Sequence, residues 1–84
     1  MKQCQITFRS VTPAQRGENA LMKRGVRCVL QRTPRWMQEQ GCGYSLVIAA
    51  DQAYAAVEIL RENSISYRKA YLQKDTGKWE EMAL

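Results

Sequence analysis

The chain has 84 residues, room for one domain with one modest core, because single domains typically run to ~100 residues and more. Its hydrophobic fraction of 45% and charged fraction of 25% are ordinary globular proportions and argue against wholesale disorder. The net charge of +5 is dispersed, without a basic run of the kind found in nucleic-acid-binding tails, and there is no histidine, the commonest general base and metal ligand.

Gln3 to Arg9 alternates, with Cys4, Ile6 and Phe8 on one side and Gln3, Gln5, Thr7 and Arg9 on the other, which predicts a strand. Thr12 as a cap and Pro13 at the first helical position predict a helix to about Arg24, stopped by Gly25 in the left-handed conformation. Val26 to Gln31 reads as a second strand, with Val26, Cys28 and Leu30 on one face. Thr33-Pro34 disfavours helix at Thr33, Trp36 to Gln40 has room for a short helical turn, and Gly41 and Gly43 end regular structure around Cys42. Tyr44 to Ala50 is the most apolar strand and is expected to be central. Asp51 is expected to cap a helix from Gln52 to about Glu62, with Ala53, Ala56, Val57 and Leu60 as its buried stripe and Asn63 in the left-handed turn at its end. Ile65 to Gln73 reads as a fourth strand, Lys74 to Lys78 as a turn, and Trp79 to Leu84 as a short extra strand or a docked tail.

Strand, helix, strand, strand, helix, strand is the order of the α+β ferredoxin-like split βαβ, with two helices on one face of a four-stranded antiparallel sheet. Residues 1–84 are expected to form one domain. No apolar run reaches the ~20 residues that a membrane helix needs. The N-terminus lacks an apolar signal core, and three cysteines at irregular spacing make no disulfide framework. A cytoplasmic protein with free thiols is therefore expected.

Without histidine, Ser–His and Cys–His nucleophile pairs cannot form within one chain. Phosphate-binding loops, dinucleotide fingerprints and C-x-x-C pairs are absent as well. The sequence therefore argues against an enzyme and calls for no cofactor. Cys4 and Cys28 lie in phase with the apolar faces of their strands and are expected to be inert. Cys42 stands instead between Gly41 and Gly43 at a loop-to-strand junction, where flanking glycines withdraw side-chain cover. A thiol with a pKa of ~8.5 needs positive help to ionise at neutral pH, and Arg32 and Arg35 of the same loop are candidates to give it. The residues alone leave a reactive thiol and a turn cysteine of no consequence both open. Trp36 and Trp79 are expected to be packing anchors, and Asp75, Glu80 and Glu81 to be surface charge.

Thr33-Pro34-Arg35 followed by Gly41-Cys42-Gly43 at the start of the third strand resembles the putative Se/S carrier protein-like family of short bacterial domains. The likeness runs from about Gln3 to Tyr71, on a Pro-Arg, a short polar stretch and a Cys-Gly leading into a strand. It implies a persulfide or selenide held on the sulfur of Cys42 and handed between donor and acceptor proteins. Pro34, Arg35, Gly41, Gly43 and Arg32 would then form the surroundings of the carrier thiol.

Two other readings compete. A regulatory or interaction module, pairing as a homodimer through its sheet or tail, suits a chain that gains stability from a partner. A nucleic-acid binder would stack bases on aromatics of the two central strands. The first strand offers only Gln3, Gln5, Thr7 and Arg9 on its outer side, so nucleic acid is disfavoured.

Overall fold

The computed structural model describes residues 2–37 and 43–82. The elements are β1 (Gln3–Phe8), α1 (Val11–Lys23), β2 (Cys28–Arg32), a 3₁₀ turn (Arg35–Met37), β3 (Tyr44–Ala49), a second 3₁₀ turn (Ala50–Gln52), α2 (Ala53–Glu62), β4 (Ala70–Gln73) and β5 (Trp79–Glu81). The sheet order is β2-β3-β1-β4-β5, and every neighbouring pair is antiparallel. This is the expected ferredoxin-like order with the C-terminal segment added as a fifth strand. The strand–helix–strand halves interleave, so β3 and β1 are both central.

Register assigns the two faces, because residues directly opposite in an antiparallel pair point the same way. Cys4 and Ile6 stand opposite Ile48 and Leu46. Together with Phe8 they form the apolar face, and all five are at most 2% exposed. Helix α1 approaches this face closely at Gly17. A Cβ there would lie 3.1 Å from Leu60 of α2, 3.2 Å from Leu46 and 3.3 Å from Phe8. A single glycine thus lies where both helices and the two central strands converge. Ala53, Ala56, Val57 and Leu60 are buried as their spacing predicts, and Ile59 joins them.

Both helices close in the same way. Val26 donates its N–H to Leu21 O and Gly25 to Met22 O, while Ile65 donates to Leu60 O and Ser64 to Arg61 O. This is the Schellman pattern, with a buried apolar residue (Val26, Ile65) following each turn. Gly25 takes φ +81° as expected, but in the second helix the left-handed residue is Ser64 at φ 55°, not Asn63. Asn63 instead donates its side-chain amide to Ile59 O at 2.8 Å. The starts differ from expectation as well. Ser10, not Thr12, is the extended residue before α1, and Asp51 lies inside the second 3₁₀ turn, so α2 begins at Ala53. Strand β4 begins at Ala70, later than predicted, because Thr7 faces both Arg68 and Lys69 through backbone bonds at 2.8 Å, as at a bulge.

Candidate functional site

Gly41 and Cys42, two of the predicted site residues, lie outside the described residues, as do Gln38 to Gln40. The structure does describe both ends of the loop that carries them. Thr33 donates its N–H to Gly43 O at 3.0 Å, which closes the neck. The Thr33 and Ser45 hydroxyls share a hydrogen bond at 2.7 Å, and both residues are buried. Space at Gly43 is tight. A Cβ would sit 3.1 Å from Phe8 O and 3.3 Å from Thr33 Oγ1, against backbone and a buried hydroxyl that have little freedom to move.

From this neck the chain crosses the sheet. Thr33 lies beside β3, yet the ring of Trp36 meets Tyr71 of β4 edge-on at 5.5 Å and Trp79 of β5 at 6.4 Å. Thr33 to Trp36 therefore forms a strap across the face opposite the helices, with Pro34 half-buried and Arg35 exposed. Beneath it Gln5 and Thr7 are only 3% and 4% exposed. This corrects the expectation that the outer side of β1 faces solvent. On this face Trp36 of the strap meets Tyr71 of β4 edge-on and Trp79 of β5 at a tilt.

Four buried polar residues, Gln5, Thr7, Thr33 and Ser45, all belong to this second face or the strap over it. Thr7 Oγ1 accepts from Lys69 N–H at 3.1 Å and lies 3.2 Å from Lys69 O, within donating distance. Gln5 differs, since its buried Nε2 has no hydrogen-bond partner among the described residues.

Arg32 is the last residue of β2, with its guanidinium 5.7 Å from the centre of the Tyr44 ring, one residue beyond Gly43. Arg32, Thr33, Gly43 and Tyr44 are thus brought together at the neck, while Arg35 stands apart on the strap. The other two thiols are quiet. Burial pushes Cys4 up to about 11. Burial, with the nearby Glu18 carboxylate, also pushes Cys28 up to about 11, and its sulfur lies 3.9 Å from Glu18 O. Both are protonated near neutrality, as expected of inert strand cysteines.

Sequence reasoning missed Gln5, Ser45, Tyr71 and Trp79 as neighbours of the loop. A signal for the last two existed. The hairpin turn at Lys74 to Lys78 sets Trp79 opposite Gln73, which puts Trp79 and Tyr71 on one face. Nothing local marks the Thr33–Ser45 latch, which only the loop's closure creates. Asp75, Glu80 and Glu81 are exposed and pair with Lys2, Lys74 and Lys69, consistent with surface charge. Among the described residues no helix is long and apolar enough to cross a membrane, and no group of three potential ligands could hold a metal ion.

Neither a curated protein nor a solved structure matches the chain. One family profile, described as Putative Se/S carrier protein-like, matches residues 3–72. That span runs from the start of β1 into β4 and includes Pro34, Arg35, Cys42 and Gly43, leaving residues 1–2 and 73–84 outside it. The chain belongs to the Se/S carrier protein-like family.

Proposed function

We propose that the protein is a sulfur or selenium carrier that holds a persulfide, or its selenium counterpart, on the Cys42 thiol and passes it from a donor protein to an acceptor protein in the cytoplasm. The observation that carries this reading is the family match across the Pro34-Arg35 and Cys42-Gly43 segments. The quiet state of Cys4 and Cys28 supports it, since burial holds both of these thiols protonated near neutrality and so argues against either as the carrier. The Cys42 thiolate attacks the outer sulfur of a donor persulfide, a new S–S bond forms, and the donor leaves as a thiolate. An acceptor thiolate then attacks the same outer sulfur, and Cys42 leaves as a thiolate. Each transfer makes one S–S bond and breaks one, so no oxidant is consumed and no general acid–base residue is required. A non-enzymatic carrier is therefore consistent with a chain that lacks histidine. Arg32, at the neck beside Tyr44, contributes positive potential to the site.

Incubation with a cysteine desulfurase and cysteine is expected to add one sulfur to the protein by intact mass. The addition is expected to persist in Cys4→Ser and Cys28→Ser and to vanish in Cys42→Ser. In timed alkylation of the folded protein, Cys42 is expected to react first. A Cys42→Ser protein that still gains sulfur, or a Cys42 that labels no faster than Cys4, overturns the carrier reading.

A further inference from the structure

The two edges of the sheet are built differently. Strand β5 has three residues, two of them Glu80 and Glu81, each ion-paired with a lysine. A short, charged edge is protected against pairing with another chain. Strand β2 is the opposite edge, with five residues in unbroken register with β3. It carries no proline and no charge from Cys28 to Gln31. Val29, its second residue, is 61% exposed, and Met22 of α1 is 60% exposed. The two border a groove of about 490 Å³ that Val26 and Cys28 also line.

We infer that β2 pairs antiparallel with β2 of a second copy about a two-fold axis at Val29, making one continuous sheet through both molecules. Keeping all four helices on one side of the joined sheet requires residues of like parity to stand opposite, so the axis falls on a residue. With the axis at Val29, Val29 meets its own copy, Arg27 meets Gln31, and Cys28 meets Leu30. Arg32, at the end of the strand, then meets Val26; the other pairs are apolar with apolar or cation with amide, and no like charges oppose. With the axis at Leu30 the pairs become Cys28 with Arg32 and Val29 with Gln31, which strands both apolar side chains against polar ones. Val29 is thus the self-complementary centre, and closed two-fold pairing uses up the edge without leaving a growing sheet. The inference is independent of the carrier reading, since Val29 lies on the edge strand and the pairing uses none of the residues proposed to carry or surround the carrier thiol except Arg32, at its far end.

Sedimentation equilibrium of a Cys42→Ser protein over about 10 to 500 μM tests it, this being the range for a small interface. A monomer–dimer equilibrium is expected. Val29→Lys, which opposes two ammonium groups on the axis, is expected to weaken the dimer at least about tenfold, with an unchanged circular dichroism spectrum. In the same background, Val29→Cys is expected to form a disulfide-linked dimer under mild oxidation much faster than Gln31→Cys, whose thiols stand opposite Arg27. A monomer at every concentration, a dimer indifferent to Val29→Lys, or equal cross-linking of the two cysteine variants overturns the proposal. Sulfur loading, measured in the protein that retains Cys42, is left untouched by any of these results.

Discussion

The two faces of one sheet solve burial in different ways. The helix face is apolar, with Cys4, Ile6, Phe8, Leu46 and Ile48 closed over by α1 and α2. The other face is polar and aromatic, and a strap closes it by a hydroxyl pair, one backbone bond and an edge-on ring. Apolar burial contributes roughly 25 cal/mol per Å², whereas a hydrogen bond exchanged with water contributes only ~1 kcal/mol net. The helix face therefore supplies stability. The strap face supplies position, since the Thr33–Ser45 latch and the Gly43 neck fix both ends of the Cys42 loop at small energetic expense.

Leu46 and Ser45 are adjacent in β3, both 0% exposed and on opposite faces, so they test this contrast directly. Leu46→Ala empties space beneath Gly17 and is expected to cost about 2–5 kcal/mol in urea unfolding. Ser45→Ala takes one partner from a buried hydroxyl pair and is expected to cost less, about 1–3 kcal/mol. Equal losses at the two sites would mean that the strap is as much a part of the core as the helices are.

The helix face was legible because its signals are local. A period of two in β1 and a helical stripe in α2 depend on neighbours a few residues apart. The strap face was not legible, because its closure joins Thr33 to Ser45 and Trp36 to Tyr71, contacts across 12 and 35 positions that no local pattern encodes. Gln5 and Thr7 alternate as surface residues should, and nothing in β1 announces that another segment covers them. The family signature located the Cys-Gly segment, but the reason for Gly43 emerged only from Phe8 O behind it. The fifth strand lay in a hairpin whose turn was readable, while its pairing depended on where β4 ends.

The next contrast is in pH. Cys4 on the helix face has its thiol raised from 9.0 to about 11 by burial. The unfolded chain releases this proton near 9 and the folded chain holds it to about 11. The stability Cys4 contributes is thus complete below about pH 9 and is lost as pH rises towards 11. The rise from 9.0 to about 11 corresponds to about 2–3 kcal/mol. Lysines and tyrosines also titrate there, so the measurement is a difference: Cys4→Ala is expected to lose less stability between pH 8.5 and 11 than the parent does, by about that amount. Parallel pH curves for the two proteins would show that Cys4 is reached by water or base in the folded state.

The smallest expected effect is on the strap face. Gln5 is 3% exposed and its Nε2 has no partner among the described residues, and a buried amide without an acceptor costs about 1–3 kcal/mol. Gln5→Leu keeps similar volume and removes the orphan donor, so it is expected to stabilise the protein by roughly 1 kcal/mol, a rise in Tm of about 4–8 °C for a domain this small. The side chain sits between Val47 of β3 and Tyr71 of β4, so leucine meets largely apolar neighbours. If the variant instead loses stability, the amide has an acceptor, and the polar face is a closed network held as tightly as the apolar one. A gain would mean that the wild-type chain keeps a donor under the strap against its own stability, a choice that packing alone does not explain.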